Sequence, residues 1–200
     1  MASSPIGFLQ SENVRLKDEN EELKEEVRTL REFVTVLNDL SQPAEIASDA
    51  QLLPLIKDIF LKALHLLDAP DGSLCLIDED TDELVFMLVH GALADKLTGF
   101  RIDSREGIAG WVFKNAETAL VRDVRHDNRF SHMIDEEFKF KTQSIAAAPL
   151  IGNGKVFGVI EALNQPGDAP FSETDSALLS LLCRVAGERL ADIERKGKQD

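Results

Sequence analysis

A leucine returns at every seventh position, from Leu9 through Leu16, Leu23 and Leu30 to Leu37, and a strict seven-residue apolar repeat commits a chain to a helix with one narrow stripe to cover. Taking these leucines as d positions puts Ile6, Asn13, Asn20, Val27 and Val34 at a. Leu at d with β-branched residues at a favours two parallel strands, and Asn at a fits a dimer in which each amide meets its partner's across the seam. Glu12, Glu19 and Glu26 then stand at g, five positions ahead of Lys17, Lys24 and Arg31 at e. That spacing joins neighbouring helices of a parallel pair. A lone helix would leave the stripe in water, forgoing about 1.5–3 kcal/mol per leucine. A helix folded back on the remaining chain would cover the stripe but would not require matched g and e charges. The expectation is a parallel coiled coil over residues 9–40, about 48 Å long at roughly 1.5 Å per residue, which makes the chain a homodimer.

Residues 1–8 read as an N-terminal tail. Ser41-Gln42-Pro43 ends the rod, because Pro43 disfavours a helical conformation at Gln42. Residues 41–51 form a linker, 52–195 a globular domain and 196–200 a C-terminal tail; a 200-residue chain suits one domain with an appendage. Its 22 Lys and Arg against 36 Asp and Glu give a net charge of −14, which repels phosphate backbones and anionic lipid, so neither nucleic acid nor membrane is an expected partner. No signal peptide and no stretch near the length of a spanning helix is present, so the expected location is the cytoplasm. Two cysteines, Cys75 and Cys183, make no disulfide framework and too few thiols for a closed zinc site.

Within the globular part, Ser48 and Gln51 suggest a capping box, or Pro54 the first turn of a slightly later helix. Leu52, Leu55, Ile56, Ile59, Phe60, Ala63, Leu64 and Leu67 follow on one helical face. Residues 73–78 and 84–90 read as a hairpin joined by an acidic turn, 107–115 as a short apolar helix, 118–124 as a strand and 133–140 as a helix. Asn153-Gly154 marks a tight hairpin between residues 144–151 and 155–163, with Pro149 at an edge or bulge. Ser172 and Asp175 open a closing helix striped by Leu179, Leu182, Ala186, Leu190 and Ile193. The fold class is α+β, with helices around a central antiparallel sheet.

Gly107-Ile108-Ala109-Gly110-Trp111-Val112, Val121-Arg122-Asp123-Val124, Asp127, Arg129-Phe130, Ala148-Pro149-Leu150, Phe157 to Asn164 and Phe171-Ser172-Glu173-Thr174-Asp175 together resemble the GAF domain, in order and spacing, from about Leu52 to Ile193. The resemblance implies a small-molecule-sensing module with a central antiparallel sheet and a ligand cavity on one face. It implies dimerisation through terminal helices and a place in signal transduction. By family position, Phe86, Asp123, Phe130, Ser144 and Glu161 are the expected cavity residues, closed over by the segment from Asp123 to Phe140. No particular cofactor is implied. Cyclic-nucleotide-binding members carry a lysine after the asparagine and a glutamate after the aspartate; here Gln165 and Ser176 stand there, and the family's Lys–Asp ion pair is lost. A cyclic-nucleotide module is therefore an alternative, as is a ligand-free structural or adaptor dimer whose cavity is plugged by Met87, Phe138 and Phe140.

Other constellations carry less. His126 and His132 with Asp123, Asp127 and Asp135 lack metal-ligand spacing, and loop aspartates more often form turns. His90 beside Gly91 would suit a haem ligand, but a single histidine is a weak signal. Cys75 and Cys183 read as small buried hydrophobes, with redox sensing as the other reading. Gly107 and Gly110 flank apolar residues with no following lysine, which suits close packing better than phosphate contact. With no nucleophile–base pair or phosphate loop, the expectation is a non-enzyme, and with no output domain in the 200 residues, a signal is expected to pass to a downstream protein or through the dimer.

Overall fold

The computed structural model describes residues 5–41 and 52–197, and the chain divides into two compact units, Met1–Asp39 and Leu40–Asp200. In the first, helix α1 runs Pro5–Ser41. It therefore starts within the stretch read as an N-terminal tail, as a proline compatible with a first helical turn allows. Arg15 pairs along the helix with Glu12 and, at 2.6 Å, with Glu19, and Lys24 with Glu21 at 2.8 Å. Such exposed pairs contribute little each. Leu16 and Leu23 remain 51% and 58% exposed.

The second unit opens with α2, Leu52–Leu66, which buries Ile56, Ile59, Phe60, Ala63 and Leu64. The expected capping-box residues Ser48 and Gln51 lie outside the described residues, as do Gln42 and Pro43. Then follow β1 (Asp71–Asp78), β2 (Glu83–His90), α3 (Ala94–Leu97), β3 (Arg101–Asp103), α4 (Gly107–Asn115), β4 (Ala119–Val121), α5 (Met133–Phe138), β5 (Ile145–Gly152), β6 (Lys155–Leu163) and α6 (Glu173–Gly197). The strands form one six-stranded sheet in the order β3-β2-β1-β6-β5-β4, every neighbour antiparallel. The expected α+β class with a central antiparallel sheet is what forms. Helix α3 and strand β3 are additions that three or four residues are too short to announce by periodicity.

Alternation along the strands divides the sheet into two faces. Leu74, Ala146, Ala148, Leu150, Ile160 and Ala162 are buried on the face packed by α2 and α6. Cys75, Leu84, Phe86, Ile145, Ala147 and Val159 point the other way, into a core with α3, α4 and the segment that follows β4. Asn153 and Gly154 adopt φ of 50° and 76°, the positive values a two-residue hairpin turn requires. Pro149 lies two residues beyond the last β5 partner of β4 and beside a bulge at Leu150/Ile151, where its missing N–H removes little. At the start of α6, Ser172 Oγ accepts from the Asp175 N–H at 3.1 Å, and Asp175 Oδ2 accepts from the Ser172 N–H at 2.7 Å, a reciprocal cap. The first glycine of the 107–110 run has a φ of 68°, while a Cβ on Gly110 would overlap the Arg105 backbone, so close packing is the use of Gly110.

Candidate functional site

On the face opposite α2 and α6, the sheet and α4 do not meet fully, and a cavity of about 80 Å³ remains. Strands supply its floor: Phe86 and Val89 from β2, Ser73 from β1, Ile145 from β5, and Glu161 and Leu163 from β6. Phe130, Ile134, Phe140 and Thr142 close it from above. Its walls are mainly apolar with few polar groups, which is the usual make-up of a small-molecule site.

The carboxyl in that floor is Glu161, paired across the sheet with Ser73 on one side and Ala147 on the other. The carboxyl is nine-tenths buried, and Ser73 Oγ donates to its Oε2 at 2.9 Å. Burial pushes the Glu161 carboxyl above its ordinary range, partly offset by the serine hydrogen bond. The folded protein therefore holds this proton more tightly than the unfolded chain does. Its contribution to stability is complete below the ordinary glutamate pKa of about 4.3 and is lost as pH rises through the raised folded value. Glu161→Gln keeps an acceptor for Ser73 and does not titrate. The variant is expected to gain melting temperature on the native protein between pH 4 and pH 7, as read by thermal melts at both; a difference independent of pH would refute this.

The segment above the cavity is built from short-range contacts. Strand β4 stops at Val121 because Asp123 accepts hydrogen bonds from the Arg125 backbone at 3.0 Å and its guanidinium at 2.6 Å, which opens a 3₁₀ turn at Val124–His126. Asp127 repeats the motif with Arg129, at 3.0 Å and 2.6 Å. The Arg129 guanidinium lies 4.3 Å above the Trp111 ring, tying the segment to α4 by a cation–π contact. Helix α5 ends at Phe138 rather than Phe140, with Lys139 left-handed at φ 53°. Asp135 accepts from the Thr142 N–H at 2.9 Å and hydroxyl at 2.7 Å. Phe138 packs edge-on against Phe100, with ring centres 5.4 Å apart.

Of the residues expected at the site, Phe86, Phe130 and Glu161 line this cavity. Asp123 and Ser144 do not; both line a neighbouring outer cleft with Arg122, Arg125 and Gln143. The Asp123 carboxylate is engaged by Arg125, which with the turn's N–H holds it well below the usual carboxylate range. Of the proposed plugs, Phe140 lines the cavity, whereas Met87 is 39% exposed. Ser73, Asp71 and Thr142 line it without having been singled out by sequence, and Asp135, weighed there only as part of a metal constellation, lines it too. The pairing of Ser73 with Glu161 depends on sheet register between residues 88 apart, and nothing local signals it. His90 also lines the cavity.

His126 Nδ1 lies 3.1 Å from Asp123 and His132 stands edge-on to Phe130 at 5.0 Å; among the described residues no three His, Cys, Asp or Glu side chains are placed to hold a metal. Cys75 and Cys183 are fully buried, and burial raises both thiols, which opposes thiolate chemistry. Gln165, in the place of the family's lysine, donates through Nε2 to the Leu67 carbonyl at 3.0 Å and to Asp175 at 3.4 Å. A hydrogen bond from an uncharged amide thus stands where the resemblance implies an ion pair. Among the described residues no helix is long and apolar enough to cross a membrane.

The GAF domain family model matches residues 51–190. The chain is 26% identical over 160 residues to a dual 3′,5′-cyclic-AMP and -GMP phosphodiesterase 11A of Takifugu rubripes, covering 75% of this chain and 18% of that protein. It is 35% identical over 81 residues to the cone cGMP-specific 3′,5′-cyclic phosphodiesterase subunit alpha′ of Gallus gallus, covering 40% of this chain and 9% of that protein. The chain thus spans less than a fifth of these relatives. In fold it is similar to the GAF domain of a phosphoenolpyruvate-protein phosphotransferase from Coxiella burnetii, with a TM-score of 0.70, 21% identity, and coverage of 85% of this chain and 96% of that one. The A. aeolicus nlh2 GAF domain in an inactive state gives a TM-score of 0.62 at 15% identity, covering 83% and 97% of the two chains.

Proposed function

Because the chain belongs to the GAF family across residues 51–190, we propose that its cavity takes a small ligand as a signal, without chemical turnover, and that occupancy is relayed through the sheet to the helices behind it. The observation that carries this reading is the partly open cavity itself: mainly apolar walls, one buried carboxyl in the floor, and a roof held by local contacts. The Cys75 thiol, two residues along β1 from Ser73, is desolvated, which opposes a nucleophilic role for it. The relay has a physical path, because β5 and β6 carry Ile145 and Glu161 toward the cavity while α6 packs on their reverse face. Displacing packed strands shifts the helix they support. The heptads of α1 pair two chains in parallel, in the cytoplasm, and a downstream signalling protein reads the change.

Native mass spectrometry of the full chain purified from its own cells identifies the occupant, and hydrogen exchange reads its effect. Restoring that molecule to emptied protein is expected to slow amide exchange across residues 123–140 by tenfold or more. A protein that carries nothing, or a segment whose exchange ignores the occupant, would leave the structural dimer as the better reading.

A further inference from the structure

The charged groups around the cavity are all of one sign. Glu161 lies in the floor, and the carboxylates of Asp71, Glu106 and Asp135 stand around it, while among the described residues no Lys or Arg lines it. Two of these are already engaged: Asp71 accepts from the Ala92 N–H at 2.7 Å and Asp135 from Thr142. Glu161 is different, because Ser73 reaches Oε2 alone, and its second oxygen has no protein donor in a side chain nine-tenths buried. That oxygen is not sealed off, so it stands as an acceptor for a donor that enters the cavity. The apolar part of the wall is mostly aliphatic, and Phe86, Phe130 and Phe140 are the aromatic residues in it. Carboxylate below and aromatic rings around is the setting that recognises an organic ammonium, by charge and by cation–π attraction. It repels a phosphate. A volume of about 80 Å³ suits a compact cation and not a nucleotide unless the roof opens.

We propose that the cavity is selective for a small free organic ammonium, with Glu161 as its counter-ion and the Phe86, Phe130 and Phe140 rings as its cage. This rests on the sensing reading above and narrows it to a chemical class. Among the described residues, His90 is the only histidine at the wall.

The test uses the full chain at pH 7.5 with choline and tetramethylammonium as probes, their uncharged isosteres 3,3-dimethylbutan-1-ol and neopentane-type alcohols as controls, and cyclic GMP as the anionic arm, read by calorimetry and by amide NMR shifts. At least one cation is expected to bind tenfold or more tighter than its isostere, a gap of about 1.4 kcal/mol, and cyclic GMP not to compete. Glu161→Gln should abolish that preference while still unfolding in one cooperative transition, and Phe86→Leu should weaken the cation more than the alcohol. Isosteres that bind as well as the cations, neither cation binding at 10 mM, or a preference untouched by Glu161→Gln would overturn the proposal. A neutral or anionic molecule found in the purified protein would overturn it too, yet leave ligand sensing intact, whereas a cavity that never takes any ligand removes both.

Discussion

Gly187→Ala is expected to cost about 3 kcal/mol or more, at the upper end of what overpacking does, although it adds one methyl group to a helix that favours alanine intrinsically. The reason is where α6 crosses the sheet. A Cβ at Gly187 would overlap the carbonyl, carbonyl carbon and amide nitrogen of Ile151, and one at Gly152 would overlap the Gly187 carbonyl. Both partners are backbone, so no side-chain rotation relieves the clash. The helix would have to lift, and with it Leu179, Leu182, Ala186 and Leu190, all buried against the sheet. At roughly 2–4 °C per kcal/mol for a domain of this size, the melting temperature should fall by about 6 °C or more, and Gly187→Val by more again. Thermal or urea unfolding of the two variants decides it; a Gly187→Ala protein that melts with the native chain would mean that helix and strand are not in backbone contact.

Replacing Leu16 and Leu23 together by lysine is expected to convert a dimer into a monomer. Both leucines stand exposed on the single helix, with Leu9, Leu30, Val27 and Val34 along the same seam, and each recovers about 1.5–3 kcal/mol when covered. Intrahelical pairs such as Arg15 with Glu12 and Glu19 contribute a few tenths of a kcal/mol apiece, too little to hold so long an apolar stripe in water. Light scattering at micromolar concentration should give twice the 22.1 kDa chain mass for the native protein and the chain mass for the double variant. A native protein that scatters as a single chain would remove the coiled coil from the mechanism. The globular unit should melt as before in the variant, since its core is built from residues after 52.

The cavity illustrates how partial the legibility of a site can be. Phe86, Phe130 and Glu161 were placed by family position and reach the cavity wall, but Asp123, in the same family pattern, is taken up by the turn it makes with Arg125. An aspartate two residues before an arginine reads equally as ligand group and as turn former, and this chain also uses that pattern at Asp103-Arg105 and Asp127-Arg129. Ser144 is buried on the neighbouring cleft. Ser73 carried no signal at all, being one small polar residue in an apolar strand.

The long helix α1, the helical stripes of α2 and α6, the reciprocal Ser172–Asp175 cap and the Asn153-Gly154 turn were all determined by the sequence alone, because each depends on residues within a few positions of one another, where periodicity and backbone preference act directly. The Ser73–Glu161 hydrogen bond, the Gly152–Gly187 crossing and the short strand β3 were decided only by the tertiary structure. Each joins segments whose spacing along the chain says nothing of their distance in space, and it is the register of the sheet, set by the burial of both its faces at once, that brings them together.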